Sequence, residues 1–200
     1  MTTGGIRKGH NWGARGQLPP SAPIATSDVE AAALIGGKHR VIGLESGDLA
    51  RTLGIRKPFT RAREHQLVPI DGLHVDFDDG SSVVAIAHVL IGRLAVDRHV
   101  IAVMNAAFVG NRNVAPRAHP GDGKADVVSM DLSRSDRLKA RSRMITGTHV
   151  PHPGISIRKV DAAGFDLGRS RLVTIDGRRC GRRSWVGFKV LPGAIIVAVS

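Results

Sequence analysis

From about residue 66 the apolar pattern shortens to that of strands, and the chain stops repeatedly at turn residues. "QLVPIDGLHVDF", "SVVAIAHVLI", "HVIAVMNAAFV", "ADVVSMDL", "ISIRKVDAAGFDL", "RLVTIDG", "SWVGFKVL" and "AIIVAV" are short and rich in β-branched side chains. Between them stand "DDGS", "HPGDG", "HPG", "DGRRCG" and "LPG". Branched side chains suit a pleated, half-buried surface, and Asp-Gly and Pro-Gly pairs supply turn angles. Segments of this kind at this spacing predict an antiparallel sandwich or barrel.

Ahead of them, "GHNWGARGQLPPSAP" carries glycine and proline at a density expected to block regular structure. "SDVEAAALIGG" predicts a short helix capped by Ser27, with Asp28 and Glu30 near the positive end of its dipole. "RVIGLESGDLARTLGI" reads as strand, turn and helix, with Val41, Ile42 and Leu44 before the turn and Leu49, Ala50 and Leu53 at helical spacing after it. One helix interrupts the strands at residues 133–144, capped by Ser133 or Ser135. The expected class is mainly β with a small α/β segment at its start. Residues 1–65 would form the loop-rich α/β segment and 66–200 the antiparallel β-sandwich.

No apolar run approaches the ~20 residues of a membrane-spanning helix. The opening "MTTGGIRKGHNWG" has no apolar stretch behind its basic residues, so no signal peptide is expected. Cys180 is the one cysteine, which excludes an internal disulfide and suits a reducing compartment. A cytoplasmic protein, at most peripheral to a membrane, is the expectation.

The formal charge of +12 is uneven. Residues 1–111 hold 12 Lys and Arg against 10 Asp and Glu, whereas residues 112–200 hold 17 against 7. Such a field attracts phosphate, on nucleotides, nucleic acid or lipid headgroups. Arg134, Arg137 and Arg141 fall on one side of the predicted helix, and Arg178, Arg179, Arg182 and Arg183 surround Cys180. These seven form a candidate patch for an anionic ligand or membrane surface, with a solvated face as the plain alternative. Nucleic acid is the weaker partner: two tryptophans, five phenylalanines and no tyrosine offer few stacking platforms.

Three loops are candidates for chemistry. In "HPGDGKADVV", Asp122 and Asp126 flank a glycine turn. One carboxylate with backbone carbonyls can hold magnesium, but the residues alone favour a strand connector turned by Asp122–Gly123. Asp176–Gly177 is a hairpin signal. Gly47 and Asp48 lie at a strand-to-helix turn, where N–H groups can cradle phosphate or Asp48 can simply cap the helix. His149 and His152 lie between prolines without a third ligand, which argues against zinc.

"GDLARTLGI", "VPIDGLHV", "AVMNAAFVGNRNVAPRAHPGDGKADVV", "ITGTH", "VTIDG" and "VLPGAIIVAV", in that order, resemble the bacterial diacylglycerol/sphingosine-type lipid kinases of the NAD kinase fold group. The resemblance covers about residues 41–200. It implies an α/β domain that binds ATP and a C-terminal antiparallel β-sandwich that completes the site. Gly47, Asp48, Ala50 and Arg51 match the family's Gly-Thr-x-Asn-Asp-x-Ala-Arg nucleotide loop, without its Thr and Asn. Asp122, Gly123 and Asp126 match the stretch whose first matched aspartate is tied to magnesium. The family's Asp-Gly-Glu, whose glutamate is a candidate general base, corresponds to Asp176, Gly177 and Arg178. The Gly-Gly-Asp-Gly-Thr phosphate loop is missing.

The expectation is a lipid-kinase-like sandwich, degenerate as a self-sufficient kinase, that binds an anionic lipid or phosphate-bearing ligand or completes a site with another chain, a second copy included. The alternatives are a minimal lipid kinase using Mg²⁺ and ATP, with Asp122 on the metal and Asp126 or Asp176 as base, and a basic nucleic-acid-binding protein.

Overall fold

The computed structural model describes residues 12–55 and 59–199; the start of the chain, where no signal peptide was expected, lies mostly outside them. Strands β1 (Ala14–Gln17) and β2 (Ile24–Ala25) precede helix α1 (Asp28–Ala33), strand β3 (Val41–Leu44) and helix α2 (Asp48–Thr52). Then come β4 (Glu64–Phe77), β5 (Ser82–Ala85), β6 (His88–Ile91), β7 (His99–Met104), β8 (Phe108–Val109), β9 (Arg112–Asn113) and β10 (Ala125–Asp131). Helix α3 (Arg134–Arg143) leads to β11 (Ile155–Val160), β12 (Ala162–Ile175) and β13 (Arg178–Val199).

An 11-stranded sheet runs in the order β1-β4-β13-β12-β6-β7-β10-β11, with β5 on β4 and β3 on β13. Its two halves face each other over one core. Leu73 and Val75 of β4 and Val186, Phe188 and Val190 of β13 share a buried cluster with Val89 and Ile91 of β6, Val103 of β7 and Val127 of β10. On the other face of β6, β7 and β10, Leu90, Ala102, Met104 and Val128 pack against Ala140 and Met144 at the end of α3. The sandwich read from the strand pattern is the observed class.

The α/β segment is joined to the sandwich by backbone as well as packing. β3 runs parallel to the end of β13, Val41 opposite Ile196, and β2 runs parallel to β3. Leu44 of β3 and Leu49 of α2 share a cluster with Ile70 of β4 and Ile195 of β13. The helix caps follow the sequence: Ser27 accepts from Glu30 N–H on α1, and Ser133 accepts from Asp136 N–H on α3.

Local pattern misplaces several strand boundaries. The "GARGQ" stretch, expected to be irregular, contains β1, which pairs antiparallel with β4. "SVVAIAHVLI" is two strands: β5 pairs with β4 while β6 pairs with β7 and β12, so the chain changes layers at Ile86 and Ala87. "LPG", expected to be a turn, lies inside the 22-residue β13. The pairing with β4 slips between Leu191 and Ile195, a bulge that tolerates a proline lacking an N–H donor.

Ile70 is fully buried where α1, α2 and the two long strands meet. Ile70→Ala is expected to cost about 2–5 kcal/mol, read by urea unfolding. Leu138→Ala, on the 71% exposed residue of α3, should change stability by no more than about 0.5 kcal/mol.

Candidate functional site

The strand register brings separate loops to one end of the sandwich. Met104 of β7 lies opposite both His88 of β6 and Asp126 of β10, and Ile175, just before Asp176, lies opposite Val89. Asp176 (φ 48°) and Gly177 (φ 82°) both adopt left-handed angles, the two-residue hairpin geometry that Asp-Gly favours. The turn reading is therefore correct, but the side chain does more. Asp176 is buried, and its carboxylate accepts N–H bonds from Ile86 (2.8 Å), Ala87 (2.9 Å) and His88 (2.9 Å). Burial nonetheless pushes its pKa up to about 6, against the pull of those three donors.

Asp28 makes the second clip. Its carboxylate accepts the N–H groups of Asp48 (2.6 Å) and Leu49 (3.1 Å), so α1 caps α2 from a distance of 20 residues in sequence. Gly47, the N-cap of α2, has φ 118°, and a Cβ there would collide with that carboxylate. The N–H groups expected to cradle phosphate are thus already occupied by a carboxylate.

Asp48 accepts from Gly110 N–H at 2.8 Å and stands 3.6 Å from His88 Nδ1. Burial first, then the neighbouring Asp28, raises its pKa to about 7. His88 is buried, and neither ring nitrogen has a hydrogen-bond partner among the described residues. Burial lowers its pKa to about 4, so the imidazole is neutral at physiological pH. The cluster can retain a proton near neutrality, and it repels a phosphate approaching Gly47 and Asp48.

Asp71 and Asn105, which the residue-level reading did not single out, hold the neighbouring loops. Asp71 accepts from Gly123 N–H (2.7 Å) and from Gly193 N–H in the β13 bulge (2.8 Å). Asn105 Nδ2 donates to the carbonyls of Asp71 (2.8 Å) and Ile86 (2.7 Å). Their only sequence signal was membership in the quoted "VPIDG" and "VMNAAF" stretches.

Asp122 and Asp126 come together around a cation, Lys159 on β11. Lys159 Nζ lies 2.5 Å from Asp122 and 3.8 Å from Asp126, while the other Asp122 oxygen accepts from Lys124 N–H. An ammonium group so placed does not fit a magnesium ion on Asp122. No cluster of three or more His, Cys, Asp or Glu with metal-binding arrangement occurs among the described residues. Asp126 is buried, which raises its pKa while Lys159 pulls it down.

Beside this pair lies an apolar cleft of about 1120 Å³, walled by Val150, Pro151, Pro153, Ile155 and Ile157, with Arg117, Asp126 and Lys159 also lining it. The seven patch arginines divide. Arg134, Arg137, Arg179 and Arg182 line one cleft of about 1060 Å³. Arg178, Arg179 and Arg183 line a smaller one beside Asp176 and Cys180. Arg141 lines neither.

Asp48 has a testable consequence. The folded chain keeps a proton on Asp48 that the unfolded chain releases, so stability should fall as pH rises from about 4 to about 7. Asp176 adds to that fall up to about pH 6. His88 opposes it, because between about pH 4 and 6.5 the unfolded imidazole takes a proton that the folded one refuses. Asp48→Asn, which keeps an acceptor for Gly110, should melt at a higher temperature than the parent at about pH 8 and match it near pH 4.

Residues 70–199 match the YegS C-terminal NAD kinase beta sandwich-like domain. Among solved structures, a "putative diacylglycerol kinase" from Bacillus anthracis str. Sterne aligns with TM-score 0.64 at 13% identity, over 88% of this chain and 77% of that one. A diacylglycerol kinase structure from the same organism aligns with TM-score 0.56 at 12% identity, over 80% of this chain and 67% of that one. No curated protein sequence matches the chain. At such identities the structural likeness shows the fold, and the match over residues 70–199 shows the family: the chain belongs to the YegS family, through its C-terminal NAD kinase beta sandwich-like domain.

Proposed function

We propose that this diacylglycerol-kinase-like chain binds an acidic lipid and does not transfer phosphate by itself. The observation that carries the lipid reading is the apolar cleft beside Lys159. Val150, Pro151, Pro153, Ile155 and Ile157 offer a wall for acyl chain, and Arg117 and Lys159 offer cations for an acidic head. Ile157 stands 39% exposed on that wall. Asp126, buried beside the same lysine, is an acceptor for a lipid hydroxyl.

Four features support the absence of self-sufficient transfer. Phosphoryl transfer depends on positioning and on neutralising phosphate charge. Here Asp28 takes the N–H groups at the start of α2, and Lys159 sits on the expected magnesium carboxylate. Asp176 spends its oxygens on three backbone donors, and Arg178 follows it where the resemblance expects a glutamate. A guanidinium cannot accept the proton of a substrate hydroxyl. Among the described residues no helix is long and apolar enough to cross a membrane, so binding would occur at a lipid surface or to extracted lipid.

Two measurements test this. Folded protein with labelled ATP, magnesium and a mixed lipid extract should yield no labelled lipid; transfer that disappears in Asp122→Asn would overturn the second half of the proposal. The protein should pellet with vesicles of phosphatidylcholine and phosphatidylglycerol, and Ile157→Asp should weaken that association about tenfold, the value of one partly buried aliphatic side chain. Equal pelleting by parent and variant would overturn the cleft as the lipid site.

A further inference from the structure

The opposite end of β6, β7 and β10 carries the reverse charge. There the loop between β6 and β7, the start of α3 and the middle of the β12–β13 hairpin enclose the cleft of about 1060 Å³. Eight arginines line it, among them Arg134, Arg169, Arg171, Arg179 and Arg182, while Asp97 is the one carboxylate in the lining. Asp97 is committed to Arg93, at 3.0 Å, and Asp131 nearby is committed to Arg98, at 2.8 Å.

The clustering is built by backbone irregularities. Arg179 and Arg182 are three apart, so a regular strand would send them to opposite faces. Opposite them on β12, Thr174 and Leu172 are only two apart, so β13 holds one extra residue. Gly181, at φ 89°, lies in this bulge, and both guanidiniums line the same cleft. A second slip, between Asp166 and Arg171, places Arg169 in a loop of β12 with Gly168 at φ 62°. On α3, Arg134 and Arg137 are one turn apart and face the same space.

Several of these side chains are held in place by carbonyls. Arg137 donates to Leu132 (3.3 Å), Arg182 to Ser170 (2.5 Å) and Arg171 to His99. Arg134, Arg169 and Arg179 line the same cleft outside these bonds and outside the Arg93–Asp97 and Arg98–Asp131 pairs. So many like charges around one concavity, with their nearest carboxylates already spent, are matched by a ligand bearing several negative charges close together.

We infer that this cleft is a binding site for a compact polyanion with clustered phosphate groups, separate from the apolar cleft at the other end of β10. The phosphates can come from a soluble polyphosphate or from a multiply phosphorylated lipid headgroup, and the guanidinium forks recognise both in the same way.

The test uses the full chain and the triple variant Arg134→Gln, Arg169→Gln, Arg179→Gln, which removes three lining cations outside the bonds and ion pairs named above. Arg141→Gln, outside the cleft, is the control. Calorimetric titration with tripolyphosphate represents the soluble source. Phosphatidylcholine vesicles with phosphatidylinositol 4,5-bisphosphate, against vesicles of equal charge made with phosphatidylserine, represent the lipid source. The triple variant should bind about a hundredfold more weakly than the parent, at an unchanged melting temperature, while the control binds as the parent does. Loss in the tripolyphosphate arm assigns a soluble ligand, and loss only with the bisphosphate vesicles assigns a headgroup. Equal binding by parent and triple variant in both arms, or no binding by the parent in either, overturns the proposal. So does a cleft-dependent loss seen only with duplex DNA.

Discussion

The bond set that the architecture depends on is the buried carboxylate of Asp176 with the N–H groups of Ile86, Ala87 and His88. At that point the chain leaves β5, which belongs to one layer, and begins β6, which belongs to the other. A layer change strands backbone donors away from any ladder, and a buried unpaired donor is costly. Asp176 supplies the missing acceptors from the β12–β13 turn. Asp28 does the same for the start of α2, and Asp71 for Gly123 and the β13 bulge. In each case a side chain distant in sequence closes a gap in the backbone hydrogen bonding.

This use of carboxylates shapes the chemistry of that end of the molecule. Burying several carboxylates together raises their affinity for protons even where main-chain donors occupy them. Asp28, Asp71 and Asp176 each hold backbone donors from other elements in place. The excess of arginine collects at the other end of the same short strands.

Much of the fold was legible from residues 66 onward because β-branched runs and Asp-Gly or Pro-Gly breaks are local signals. Ser27 and Ser133 as caps, and Asp176–Gly177 as a tight hairpin turn, depend only on neighbours within a few residues. What failed was continuity. "LPG" looks like a stop, yet β4 holds both halves of β13 in one ladder and absorbs the proline in a bulge. "SVVAIAHVLI" looks like one strand, and only its partners divide it. The candidate site was half legible: Gly47, Asp48, Asp122, Asp126 and Asp176 stand out in the sequence, but the neighbours the structure gives them, Asp28, His88 and Lys159, carry no spacing signal because they arrive from other elements.

The sequence alone determined the mainly β class, the positions of most turns, the helix caps and the surplus of positive charge in the second half, since each follows from composition or from residues in immediate succession. Only the tertiary structure decided which donors each carboxylate serves, that Lys159 rather than open space faces Asp122, and that Arg179 and Arg182 look the same way. These depend on strand register and on bulges, and a slip of one residue reverses the face of every side chain that follows it.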